Sequence, residues 1–159
     1  MANKRYMLQI IVGAVAIALL MSGGAHATIM IYDGLEGGSG DVDNVLFNLP
    51  TDVLGGLTVT GHLNTVDAPQ VDFTSNELLS AYSGGGQAHI VSQDTDGFNL
   101  LQISMHDTSL GFKKIQFNIE ALVAGDVSLS FFDQDGTEFS SKYAVSTSGS
   151  NQFTAIADS

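Results

Sequence analysis

The stretch FKKIQFNIEALVAGDVSLSFFDQDG, residues 112–136, decides the fold class. Ile115, Phe117 and Ile119 alternate with Gln116, Asn118 and Glu120, and Val127, Leu129 and Phe131 alternate with Ser128 and Ser130. A period of two, with β-branched and aromatic residues on one phase, is the pattern of a half-buried strand. Gly125-Asp126 and Asp135-Gly136 bound the second run. Asp-Gly between apolar runs is hairpin chemistry, because both residues tolerate positive φ.

The same alternation extends outward in both directions. Leu57, Val59 and Leu63 oppose Thr58, Thr60 and His62, and Val71 and Phe73 alternate with Asp72 and Thr74. Thr28–Tyr32, Val45–Leu49, Ala88–Ser92, the pair Tyr143 and Val145, and the pair Phe153 and Ile156 supply further short runs. Phe98 and Leu100 stand in one phase and Leu101, Ile103 and Met105 in the other, which predicts a bulge near Leu100-Leu101. Gly55-Gly56, Ala68-Pro69, Gly84-Gly85-Gly86, Asp96-Gly97 and Ser148-Gly149 fall between the runs. Many short strands at this spacing predict an all-β fold, an antiparallel β-sandwich or jelly roll. Ser75–Tyr82, SNELLSAY, is the one weak helical candidate. It offers an N-cap and Glu77, and Gly84 would end it, which predicts at most a single helical turn.

The N-terminus reads differently. Lys4 and Arg5 precede the apolar run MLQIIVGAVAIALLM (residues 7–21), and Ala25-His26-Ala27 places small residues at −3 and −1 of a signal-peptidase site. These are the parts of a cleavable secretory signal helix, in order. The run is short for a membrane anchor of about 20 apolar residues. The expected organisation is therefore a signal peptide over 1–27, removed by signal peptidase, and one domain over 28–159. The 132 residues remaining from 159 are enough for a sizeable core.

Charge and cysteine content exclude several functions. Lys4 and Arg5 are two of the five cations, so the chain beyond residue 27 holds three lysines against 17 acids, a formal −14. A chain so poor in cations is unsuited to nucleic acid and to anionic membrane surfaces. With no cysteine there is no disulfide, no thiolate metal site and no lipoprotein acylation.

Candidate sites are sparse. Asp94-Thr95-Asp96-Gly97 and Asp133-Gln134-Asp135-Gly136 carry the carboxylates that calcium prefers. However, the EF-hand positions that should hold acids are occupied by Ser92 and Ile103, and by Phe131 and Lys142. Both stretches fit hairpin turns better. Gly37-Gly38-Ser39-Gly40-Asp41 resembles a single calcium nonapeptide, a motif that works in tandem arrays. Asp41 and Asp43 on that glycine-rich loop are the remaining weak cation candidates.

His62, His89 and His106 are far apart in sequence and lack a zinc-type spacing. No nucleophile elbow, Walker loop or dinucleotide fingerprint is present. Glu77 and Glu120, both among apolar residues, are the carboxylate pair to consider for glycoside hydrolysis. Tyr82 and Tyr143 are the tyrosines that could stack on sugar rings.

The succession GDVDNVLFN (40–48), VTGHLN (59–64), VDFTS (71–75), GGGQAHI (84–90), FKKIQFNIEA (112–121), VSLSFFDQDG (127–136) and SNQFTAIA (150–157) resembles small β-rich exported bacterial domains. These precede a PEP-CTERM sorting signal and are substrates of exosortase. The resemblance implies export from a Gram-negative cell and residence at the surface or in the extracellular matrix, and it supplies no catalytic residues. The C-terminal Pro-Glu-Pro, apolar helix and basic tail of such domains do not follow the matched segments here, so the resemblance predicts either a truncated C-terminus or a form released without an anchor.

The leading expectation is an exported, non-enzymatic β-sandwich of the cell-surface or matrix layer, with extracellular polysaccharide or surface-layer components as partners. A carbohydrate- or calcium-binding module is the alternative, and a secreted hydrolase using a carboxylate pair is a further one.

Overall fold

The computed structural model describes residues 13–16, 28–37 and 42–158. Its elements are β1 (Gly13–Ala16), β2 (Thr28–Asp33), β3 (Asp43–Leu46), β4 (Gly55–Leu63), β5 (Gln70–Gly84), β6 (Gln87–Ser92), β7 (Gln102–Met105), β8 (Phe112–Ile119), β9 (Gly125–Phe132), β10 (Glu138–Val145) and β11 (Asn151–Asp158). The chain is all-β among the described residues, and its strand pairings are antiparallel. One sheet runs β2-β11-β8-β1-β3-β4-β5-β6, with β7 also on β5; β9 and β10 form a separate hairpin. The expected signal peptide, with its cleavage residues Ala25 and Ala27, lies outside the described residues except for Gly13–Ala16. That segment pairs with β3 and β8.

Two groups of strands share one core. Val45, Val59, Leu63, Phe73 and Ile90 come from β3 to β6, and Ile115, Phe117, Ile119 and Phe153 from β8 and β11, all within one buried cluster. The architecture is sandwich-like. Phe47 packs on Phe73 at 6.0 Å and Phe117 on Phe153 at 5.7 Å, the offset contacts that aromatic rings prefer. The β9–β10 hairpin joins this core through Leu129 and Val145. Tyr143 anchors it by packing on Phe153 at 5.1 Å and donating its hydroxyl to the Ile31 carbonyl.

The alternation read from residues 112–136 is borne out in β8 and β9, with one difference. Gln116 and Asn118, on the polar phase of β8, are buried as well. Gln116 donates to the Glu36 carbonyl and Asn118 to that of Gly149, so segments on either side of the sheet cover a face that alternation alone leaves open.

The helical candidate is corrected. Ser75–Tyr82 lies inside β5, which pairs with β4 on one side and with β7 and then β6 on the other. Ladders on both edges satisfy backbone groups that a helix would have bonded internally. The turn after it is set by Gly85 and Gly86, at φ 60° and 79°, the paired positive values of a type I′ hairpin. The predicted bulge near Leu100 is a larger departure: β6 ends at Ser92, β7 begins at Gln102, and the residues between them form no strand.

β4 meets β3 closely. A Cβ on Gly61 would lie 2.7 Å from the Leu46 carbonyl oxygen and 2.9 Å from Val45, so only glycine fits there.

Candidate functional site

Odd-numbered residues of β5 (Val71, Phe73, Ser75, Leu79 and Ala81) are buried, so its even-numbered residues face outward. Along that outward face the strand passes through two chemically different regions.

The first region spans β4, β5 and β7. Strand register aligns Thr58 with Thr74 and Gln102, Thr60 with Asp72 and Ser104, and His62 with Gln70. His106 follows β7 and donates its backbone N–H to the Gln70 carbonyl. The side chains bond to one another. The Thr58 and Thr74 hydroxyls lie 2.9 Å apart, and Thr60 donates to Asp72 Oδ1 at 2.7 Å. His106 Nδ1 lies 2.9 Å from Asp72 Oδ2. His62 Nδ1 lies 3.0 and 3.1 Å from the two oxygens of Asp52. An ionised carboxylate only accepts, so each imidazole presents N–H at Nδ1.

Asp52 reaches His62 from a tight turn. Its backbone N–H bonds to the Leu49 carbonyl, and its Oδ2 accepts the Leu49 N–H. The Asp52 side chain is fully buried and that of His62 is 7% exposed. Strand phase had placed His62 among the outward residues; the 49–52 turn covers it. Beyond His106, the Ser109 hydroxyl and backbone N–H hold the Asp107 carboxyl below its usual range, with a smaller contribution from His106.

The second region spans β5 and β6. Tyr82 lies opposite His89 and Ser80 opposite Val91, and the Gln93 N–H bonds to the Leu78 carbonyl and continues the ladder. The Tyr82 and His89 rings stack, with centroids 4.9 Å apart and planes within 5°. His89 Nε2 bonds to the Gly84 carbonyl at 3.1 Å, which fixes the ring against the hairpin. Tyr82 is 48% exposed and Leu78 55%.

Beside Leu78 the sheet has a gap, because β6 ends opposite Leu79 and β7 begins opposite Thr74. An open cleft of about 340 Å³ lies there, lined by Glu77, Leu78, Gln93 and Asp94. Its walls are tied down. Ser75 donates to the Leu100 carbonyl at 2.8 Å and accepts the Glu77 N–H, while the Gln93 side chain donates to the Leu79 carbonyl.

The structure sorts the remaining candidates. Asp133 Oδ1 accepts the N–H groups of Asp135 and Thr137, and Gly136 takes φ 79°, so this stretch closes the β9–β10 hairpin. Asp94 Oδ1 accepts the Asp96 N–H in the same manner, and Gly97 takes φ 83°. The Asp133 stretch is the hairpin turn expected; the Asp94 stretch turns the chain but closes no hairpin, because β6 and β7 both pair with β5. Asp43 lies on β3, and Asp41 falls outside the described residues. Among the described residues, no group of three or more His, Asp or Glu side chains is placed to hold a metal ion.

Glu77 shares its cleft with Asp94 rather than with Glu120. Of the two tyrosines, Tyr143 is committed to the hairpin anchor and Tyr82 faces outward. Leu78 and Gln93 had no motif to mark them; the shared even phase of Leu78, Ser80 and Tyr82 is the signal that would have found the strip. Comparison with protein-family models, curated proteins and solved structures gives no match.

Proposed function

We propose that the domain over residues 28–159 is an exported, non-enzymatic binding module of a bacterial cell-surface or matrix layer, and that it takes a carbohydrate along the outward face of β5 and β6. The observation that carries this reading is the exposed Tyr82, already stacked on His89, on the same strand phase as exposed Leu78, which lines an open cleft with Glu77, Gln93 and Asp94. A flat apolar ring with hydrogen-bonding groups at its border matches a sugar, which has a C–H face and a polar rim. The stack holds the ring in place before any ligand arrives, which reduces the ordering cost of binding. The signal-like N-terminus, the acidity and the resemblance to PEP-CTERM domains support placement outside the cytoplasm.

The test is titration of the domain against a panel of soluble glycans, with and without calcium, monitored by calorimetry and by chemical shifts on β5 and β6. Heat and shifts centred on Tyr82 are expected. Silence across the panel would end the binding reading.

The Glu77–Asp94 cleft favours one second reading, a glycoside hydrolase built on paired carboxylates. Turnover of a glycoside panel that disappears in Glu77→Gln would establish it in place of the first.

A further inference from the structure

We infer that the exported form of this protein carries a strand-acceptor slot between β3 and β8, and that the slot takes an extended segment of small apolar residues from a second polypeptide. The inference uses the export half of the reading above and is independent of the carbohydrate.

The slot is defined by the strand that fills it. β1 pairs antiparallel with β3 on one side, Gly13 opposite Asn44 and Ala14 opposite Asp43. On its other side it pairs antiparallel with β8, from Gly13 opposite Gln116 to Ala16 opposite Phe112. Among the described residues, β1 is the one link between the β2-β11-β8 ladder and the β3-β4-β5-β6 ladder. Yet Gly13–Ala16 lies within MLQIIVGAVAIALLM, the apolar run of the expected signal peptide. Removal of residues 1–27 takes the joining strand away and divides the sheet in two.

The consequence is geometric. With β1 gone, β3 and β8 stand two strand spacings apart, about 9.6 Å. That gap is too wide for their backbones to bond each other, and it is the width of one more strand. Asp43, Asn44 and residues 112–116 then present unpaired backbone groups on facing edges, next to the core residues Val45, Ile115 and Phe117. An unpaired edge is a template for another chain. Here two edges face each other, so one inserted strand satisfies both, and its main-chain bonds supply the affinity.

The seat sets the chemistry of its occupant. The inserted strand runs antiparallel to both edges, as β1 does, and the residues seated there, Gly13-Ala14-Val15-Ala16, are small and uncharged. Among the described residues beyond 27, every strand keeps a partner other than β1, so the domain has no strand to spare for a second copy. The donor is therefore a different polypeptide.

The experiment starts from the full chain, expressed in a bacterial host with its own N-terminus. The exported protein is purified and its first residue read from intact mass. The probe is a synthetic peptide of residues 11–18, IVGAVAIA, flanked by glutamates. Its control carries Ala14→Pro and Ala16→Pro, which remove ladder donors. The readouts are thermal midpoint, amide exchange and disulfide trapping. The chain has no cysteine, so each edge can be reported separately. Val15→Cys in the peptide is paired with Lys114→Cys in the protein, and Gly13→Cys with Asn44→Cys, because directly opposed residues lie within disulfide reach. Ser128→Cys on β9 is the control away from the slot.

The exported protein is expected to begin at Thr28 and to exchange rapidly along the facing edges of β3 and β8. The peptide should slow that exchange by roughly tenfold or more and raise the midpoint by roughly 5–10 °C at saturation. It should cross-link at both edges and not at Ser128→Cys, and the proline peptide should do none of this. Edges already protected in a monomer without peptide overturn the inference. A dimer with protected edges also overturns it, by giving the slot to a second copy. Peptide binding without both cross-links, equal binding by the proline peptide, or a protein that stays unfolded with and without peptide does the same. An exported chain that keeps residues 1–27 overturns it together with the cleavage reading beneath it, whereas silence in the glycan panel leaves it standing.

Discussion

Two halves of one strand, β5, present different side chains on one outward face and use them in opposite ways. Near Asp72 and Thr74 the outward face of β5 is occupied by hydroxyl, imidazole and carboxylate groups bonded to each other across β4 and β7. Near Leu78 and Tyr82 the same face is apolar, half exposed and bordered by a cleft. The histidines and aspartates of the first half look more like a reaction centre on paper. Their hydrogen bonds run to one another and to the backbone of the Leu49–Asp52 turn. The second half holds the weaker-looking residues and the open surface.

The largest effect should come from removing Asp52. Asp52→Ala leaves His62 and the Leu49 N–H without their acceptor in a buried position, and a loss of about 2–4 kcal/mol in urea unfolding is expected. Gly61→Ala comes next. The new methyl group meets the Leu46 carbonyl at 2.7 Å, which should cost about 1–3 kcal/mol by the same measurement.

Asp72→Ala breaks the bonds to Thr60 and His106 at a less buried position, where the Asp72 side chain is 19% exposed, and a loss of about 1–2 kcal/mol follows. Lys142→Ala on the exposed hairpin should fall within about 0.5 kcal/mol of the parent. Tyr82→Ala should likewise change stability by about 0.5 kcal/mol or less, while abolishing retention on a glycan resin. If Tyr82→Ala unfolds the domain as readily as Asp52→Ala does, the contrast between the two halves collapses and Tyr82 is a structural residue.

Much of the fold was legible as alternation. Val59, Phe73, Ile115 and Phe117 were placed on inward phases by period two alone, and they are buried. The glycine and aspartate punctuation located the hairpins at Gly85-Gly86 and at Asp133–Gly136, because the need for positive φ is written in residue type.

Ser75–Tyr82 misled for a definite reason. Leu78 and Tyr82 are four residues apart, a spacing that puts them on one face of a helix and equally on one face of a strand. Their identity could not separate the two periods. The ladders from β4 and β6 on either side decided for strand, a tertiary override of local propensity.

The candidate site was legible in pieces only. Tyr82, Glu77 and Asp94 each stood out by residue type, but separately: as a tyrosine that could stack on a sugar, as one of a carboxylate pair, and as part of a hairpin turn favoured over a calcium ligand. Nothing local says that the chain between Ser92 and Gln102 forms no strand and leaves a cleft beside Leu78. That excursion depends on where β7 rejoins β5, a pairing between Gln102 and Thr74 that is distant along the chain. In the same way the burial of His62 depends on the turn at Leu49–Asp52 folding over β4.

By itself the sequence determined the strand-forming alternation, the turn positions, the lopsided acidity and the signal-like N-terminus. All of these are properties of short windows or of composition. The tertiary structure decided which polar residues bond one another and which line an opening, and it brought Glu77, Leu78, Gln93 and Asp94 around one cleft. The physical reason is that strand pairing is non-local: the neighbours of a β residue lie on other strands, and only the register brings them together.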